Sequence, residues 1–246
     1  MLRLGITGTD TGVGKTVVSA AVLAMLRARG VRAAAMKPVE TGVGDGDLDR
    51  DAMRLWRAAG AVDDPRDVGP VVLPEPLAPV LAARRAGRAV DIAPLDDAFA
   101  RLAARASAIV VEGAGGILVH VAPTLTYADL FRRWRLDVLI VAANRLGALN
   151  HTLLTVAEAR RAGLRVRGVV LNEAAPAAGR ADLARETNLA MLREILPDVP
   201  ITGFPHLPAP DDHAALAAAA EHGGLYHLID AGAERSPRAG SRTETT

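Results

Sequence analysis

Hydrophobic and polar positions alternate between two rhythms along this chain. Aliphatic runs of strand length occur at LRLGIT (from residue 2), VRAAAM (31), AIVVEG (108), DVLIVAA (137), RVRGVVLN (165) and VPITGF (199). Between them lie stretches of helical period, among them TVVSAAVLAMLRARG, TLLTVAEARRAG and ADLARETNLAMLREIL. A strand buried on both faces reads as a continuous aliphatic run rather than an alternating one. Such strands, separated by helices, predict a parallel sheet covered by helices on both sides.

Residues 43–107 fit this rhythm less well, opening on GVGDGDLDRD and continuing through the proline-punctuated VVLPEPLAPV. They are expected to form an insertion of loops and helices at the ligand edge of the sheet, where binding residues of such folds gather. The tail AGAERSPRAGSRTETT is polar and aperiodic, and residues 233–246 are expected to be disordered, leaving one domain over residues 1–232.

Half of the residues are hydrophobic and only 3% aromatic, so the core must be built from Ala, Val, Leu and Ile. The formal net charge is +1 with acids and bases interspersed, which gives no electrostatic footprint for nucleic acid or an anionic membrane. Cysteine is absent, so disulfides, thiolate metal sites and cysteine nucleophiles are excluded. The first strand begins almost at Met1 and no apolar run approaches the ~18 residues of a membrane span. A soluble cytoplasmic protein is the expectation.

The stretch GTDTGVGKT, Gly8 to Thr16, matches G-x-x-x-x-G-K-[ST] and stands between a predicted strand and a long amphipathic helix, the context this motif requires. The expected fold is therefore α/β, a P-loop NTPase-type parallel sheet with helices on both faces. Backbone N–H groups of Thr11, Gly12, Val13 and Gly14 would surround phosphates at the helix N-terminus, Lys15 would reach the terminal ones, and the Thr16 hydroxyl would bind Mg²⁺.

Lys15 is one of only two lysines among 29 basic residues; the other is Lys37, at the end of the second aliphatic run and before Pro38. The ends of parallel strands open into the ligand crevice, and a lysine is a compact, mobile point charge where arginine is a rigid fork. That makes Lys37 a candidate for handling a moving phosphoryl group. Mg²⁺ prefers oxygen ligands, often one or two carboxylates with phosphate and water. Glu112 at the end of AIVVEG is one candidate, and Asp45, Asp47, Asp49 and Asp51 in the acidic loop are others. The histidines show no zinc spacing, and no nucleophile-elbow signature occurs.

Taken together, GTDTGVGKT, KPVETG, RDAM, PEPLAP, VEGAGG, TYADL, LGALNHTLLT and GVVLNE resemble the dethiobiotin synthetase family, in order and over about residues 4–210. The resemblance implies an ATP-dependent cyclo-ligase of biotin biosynthesis. CO₂ adds to one amine of 7,8-diaminopelargonic acid, ATP phosphorylates the carbamate, and the second amine closes the ureido ring. It further implies Lys15 and Lys37 as catalytic cations, with Mg²⁺ on Thr16, Asp51 and Glu112. Thr11 and Thr41 would meet the carbamate or phosphate region, Gly113 beside Glu112 would join the nucleotide site, and Asn172 with Pro205 would hold the adenine. The substrate carboxylate would be caught at Gly147, Ala148, Leu149 and Asn150 of a partner subunit, which implies a homodimer.

Two other classes fit the sequence less well. Amidating synthases of corrinoid assembly carry an added glutamine-hydrolysing domain with a cysteine nucleophile, and this chain has no cysteine. Switch-type ATPases that position other proteins often show a second lysine early in the loop, where this chain has Asp10.

Overall fold

The computed structural model describes residues 1–44, 46–175 and 182–230. Asp45 and the tail expected to be disordered lie outside the described residues. In chain order the elements are β1 (Leu2–Gly8), α1 (Lys15–Ala28), β2 (Ala33–Met36), β3 (Val39–Thr41), α2 (Asp51–Ala58), α3 (Pro65–Val68) and β4 (Val71–Leu73). Then come α4 (Pro79–Arg85), α5 (Ile92–Ala104), β5 (Ala108–Gly116), β6 (His120–Ala122), β7 (Leu125–Thr126) and α6 (Tyr127–Arg133). The chain continues through β8 (Asp137–Ala143), α7 (Ala148–Arg161), β9 (Val166–Asn172), α8 (Leu183–Ile195), β10 (Ile201–Phe204), α9 (His213–His222) and α10 (Leu225–Asp230).

All six predicted strands are present and form one sheet in the order β10-β9-β8-β1-β5-β2, with every neighbour parallel. The continuous aliphatic runs have the cause assigned to them. Leu4 and Ile6 of β1, Ile109 to Val111 of β5 and Val138 to Ala142 of β8 are buried between two helical layers. Two short sheets, β3 with β4 and β6 with β7, stand apart from the main one.

The chain leaves the central strand β1 toward the β2 edge and then steps back through β5, β8, β9 and β10. Right-handed crossovers turn that reversal of direction into a change of face. Hence α1 packs with α2, α9 and α10, while α5, α6, α7 and α8 serve the opposite side. The loop after β1 goes to one face and the loops after β5 and β8 go to the other, so a crevice opens at the carboxyl ends of these strands.

The scarce aromatic side chains are concentrated under α6. Cβ atoms added to Gly5 and Gly113 would meet the Phe131 ring at 3.0 and 3.3 Å, so two glycines on neighbouring strands let this helix approach the sheet. Trp134, just beyond α6, stacks on Phe99 of α5 with ring centroids 4.7 Å apart, and its indole N–H donates to Asp96 at 2.7 Å.

The expectation for residues 43–107 needs one correction. The Pro76–Pro79 segment does lie at the ligand edge, but α5 is an ordinary crossover helix lying on β2 and β5. Its Leu95, Phe99 and Leu102 form a buried stripe at helical spacing that the surrounding prolines obscured.

Candidate functional site

The phosphate loop joins β1 to α1 as its sequence requires. Gly14 caps α1 in the left-handed region (φ 87°), and a Cβ there would come within 2.0 Å of Asn172 Nδ2, so both conformation and space demand glycine. Asn172, at the end of β9, donates through Nδ2 to the Val13 carbonyl at 2.9 Å and ties the loop to the sheet.

Lys15 opens α1 and is 7% exposed. Among the described residues its ammonium has a single hydrogen-bond acceptor, the Asp10 carbonyl at 3.1 Å. Burial pulls its pKa below the ordinary lysine value, opposed by the charges of Glu112, Asp51 and Asp10. A buried cation with so little compensation is suited to an incoming anion.

Lys37 is placed differently. It follows β2, and its ammonium donates to Asp51 Oδ2 at 2.9 Å and to Glu112 Oε1, while Thr16 Oγ1 donates to the same Glu112 oxygen at 3.0 Å. Burial works against the charge, but the two carboxylates outweigh it and raise the Lys37 pKa. Burial also opposes ionisation of Asp51, yet the Lys37 charge and hydrogen bond keep its pKa below the usual carboxylate range. Glu112 is fully buried, and its second oxygen, Oε2, has no hydrogen-bond partner among the described residues.

That orphaned oxygen, the Thr16 hydroxyl and the Asp51 carboxylate form a set of hard oxygen donors beside the phosphate loop, which fits a hard divalent cation. Among the described residues no group of three or more His, Cys, Asp or Glu is placed to hold a metal on its own. A metal here would need phosphate oxygens to complete its shell, as is usual where a nucleotide delivers it.

Thr16, Lys37 and Asp51 border a cavity of about 710 Å³ whose walls also include Thr11, Lys15, Thr41 and Pro76–Pro79, while the fully buried Glu112 lies behind that wall, in contact with Thr16 and Lys37. Among the described aspartates of the acidic loop, Asp51 alone lines the cavity. Asp47 and Asp49 are exposed, with the Asp47 carboxylate spent on the Asp49 N–H at 2.9 Å.

Other expected residues lie outside the cavity walls. Gly113 faces Tyr127 and Phe131, so packing accounts for its missing side chain. Asn172 and Pro205 stand at the ends of β9 and β10, whose register pairs Phe204 with Asn172. Gly147 caps α7 with φ 89°, and the Gly147–Asn150 turn is not part of this chain's own cavity.

Two charged wall residues, Arg54 and Glu40, had no assignment from the sequence. Arg54 donates to Asp211 at 2.9 Å, joining α2 to the segment after β10. Glu40 lies inside the KPVETG stretch, but its partners are the first backbone N–H groups of α2 and the Arg50 guanidinium, which spacing along the chain cannot reveal.

Comparison with known proteins agrees with this geometry. A sequence family described as "AAA domain" matches residues 3–205. The chain is 47% identical over 176 residues to an ATP-dependent dethiobiotin synthetase BioD of Anaeromyxobacter dehalogenans, covering 72% of this chain and 78% of that protein. It is 42% identical over 222 residues to the protein of the same name from Xanthomonas euvesicatoria, covering 89% and 95%. Among solved structures, the MinC:MinD cell division complex of Aquifex aeolicus aligns with a TM-score of 0.51 at 14% identity, covering 98% of this chain and 99% of that one, a likeness of fold alone. With relatives of this identity along nearly its whole length, and a phosphate loop, paired lysines and carboxylates in one cavity, the chain belongs to the ATP-dependent dethiobiotin synthetase family.

Proposed function

We propose that this cavity carries out ureido-ring closure as follows. One amine of 7,8-diaminopelargonic acid adds to CO₂ and loses a proton, giving a carbamate. A carbamate oxygen attacks the γ-phosphorus of ATP and ADP departs. The adjacent amine then attacks the carbonyl carbon of the mixed carbamic-phosphoric anhydride, a proton is lost, phosphate leaves, and dethiobiotin is formed.

A carbamate facing a triphosphate brings like charges together, so the barrier is set by how well cations offset them at the transferring group. Lys15 and the N–H groups from Thr11 to Thr16 hold the phosphates. Lys37, projecting from the β2 side, neutralises the carbamate and the departing phosphoryl oxygens. Thr11 and Thr41 line the space between and orient the carbamate. Thr16, Asp51 and Glu112 would hold Mg²⁺, which when bound supplies positive charge at the phosphate oxygens. Asn172 and Pro205, beyond the loop, form the side against which the adenine lies.

The observation that carries the reading is the convergence of Lys37, Asp51, Glu112 and Thr16 beside the phosphate loop, with Glu112 Oε2 buried and unpaired. The active form is proposed to be a homodimer in which Gly147 to Asn150 of the partner subunit receive the substrate carboxylate. Three features support this. The N-terminus of α7 has no capping side chain, an arrangement suited to a carboxylate. Leu146 is 86% and Leu154 61% exposed beside it. The turn also lies outside this chain's own cavity. A cytoplasmic location is part of the proposal; no helix among the described residues is long and apolar enough to cross a membrane.

The test is phosphate release by the purified protein with Mg-ATP and bicarbonate, with and without the diamine, with mass detection of dethiobiotin. Diamine-dependent release with the ring product is expected. Release that ignores the diamine and yields no product would overturn the assignment.

A further inference from the structure

We propose that Glu40 is a positioning residue that fixes Asp51, and with it the metal-binding edge of the cavity, against the segment carrying Lys37 and Thr41. The inference rests on the reading of Asp51 as a metal ligand given above.

Helix α2 begins without a cap of its own. Its N-cap position is Arg50, which makes no side-chain capping bond, so the first N–H groups of the helix need acceptors from elsewhere. Glu40 provides both. Its Oε1 accepts from Asp51 N at 2.5 Å and its Oε2 from Ala52 N at 3.3 Å, while Arg50 Nη1 donates to Oε2 at 3.2 Å. A carboxylate at the positive end of a helix is favourably placed. It is also 4% exposed, so water does little to replace it.

The second link between the same two segments is Lys37 Nζ to Asp51 Oδ2 at 2.9 Å. Glu40 therefore holds the backbone of Asp51 and Lys37 holds its side chain, both from one stretch of chain just after β2. Thr41 is the next residue on β3 and lines the cavity. One carboxylate thus keeps the substrate side and the metal side of the cavity in register. Although Glu40 borders the cavity, both of its oxygens are occupied by N–H donors, which argues against a role as a ligand in its own right.

The experiment measures Mn²⁺ binding by electron paramagnetic resonance on the full chain with saturating β,γ-methylene-ATP, and affinity for the same nucleotide in EDTA. For Glu40→Ala, Mn²⁺ affinity should fall about ten-fold, the scale of losing one well-made helix cap, with metal-free nucleotide affinity unchanged. Glu40→Gln, which keeps an oxygen for the Asp51 N–H, should recover most of the loss. Should the alanine variant fail to fold, Glu40→Asp supplies the comparison, because its shorter arm withdraws the acceptor. Unchanged Mn²⁺ affinity in both Glu40→Ala and Glu40→Asp would overturn the proposal. So would equal losses of Mn²⁺ and metal-free nucleotide binding, which mark a general structural role. Asp51→Asn separates the layers. If it too leaves Mn²⁺ affinity unchanged, the ligand reading beneath the proposal fails. If it weakens Mn²⁺ while the Glu40 variants do not, only the positioning role fails.

Discussion

Replacing Lys37 by methionine tests the charge arrangement directly. The side chain keeps much of its length, but the ammonium between Asp51 and Glu112 is removed. Lys37 is 4% and Glu112 0% exposed, so the change strands a buried carboxylate. Removing one partner of a buried ion pair typically costs ~3–5 kcal/mol. Asp51's side chain is 36% exposed, and solvent screens its share, which places the expected loss near the lower end, about 3 kcal/mol. For a chain of this size that lowers the melting temperature by roughly 6–12 °C. The assay is thermal unfolding of wild type and variant in EDTA, repeated with excess Mg²⁺ and ADP, where the variant should regain more than the wild type because a metal can replace the missing cation. The pH dependence gives a second reading. The Asp51 pKa is depressed in the fold, so the contribution of the pair is present at neutral pH and lost as pH falls through the depressed value. Lys37→Met should therefore lose less stability on acidification than wild type does. A variant melting within about 2 °C of wild type in EDTA, less than a 1 kcal/mol change would give, would refute the reasoning.

The other lysine should behave oppositely. Lys15 makes no direct ion pair among the described residues and its burial outweighs the nearby carboxylates, so Lys15→Ala should leave the melting temperature of the nucleotide-free protein unchanged or slightly higher while weakening ATP binding more than ten-fold by calorimetry, ~1.4 kcal/mol or more. Lys37→Arg should fold normally yet lose about 100-fold in turnover, since a displacement of about 1 Å in a reacting arrangement costs that much. Gly14→Ala should abolish nucleotide binding and lower stability, because the new Cβ meets Asn172 Nδ2 at 2.0 Å in a left-handed backbone. Leu154→Arg should shift sedimentation toward monomer and remove ring closure while leaving nucleotide binding intact; a dimer that persists and turns over would exclude this face as the interface.

Legibility in the sequence followed the range of the interactions. The six sheet strands could be read because burial on both faces leaves an unbroken aliphatic signature, and the phosphate loop because its geometry is local to Gly8–Thr16. Lys37 and Glu112 stood out because each ends such a run. The choice of Asp51 among its neighbours was not available from periodicity or charge. It depends on a helix start fixed by Glu40, 11 residues upstream, through bonds to backbone N–H groups. Helix α5 was assigned to the ligand-edge insertion rather than to a crossover on β2 and β5, because prolines around it broke the strand–helix rhythm. The cavity wall at Pro76–Pro79 depends on β4 pairing with β3, a two-strand contact too small to leave a pattern.

The place of β1 in the sheet also bears on how the protein is made. Its register joins Leu2 to Ala108 on one side and Leu4 to Asp137 on the other. A chain emerging from the ribosome carries the phosphate loop, Lys37 and Asp51 early, but the strand supporting that loop has no neighbours until much more has been synthesised. Parallel pairings of such sequence separation form late and leave aliphatic edges open meanwhile. Nucleotide binding should therefore appear only after β8 has left the exit tunnel, and shorter nascent chains should be the ones that depend on chaperones.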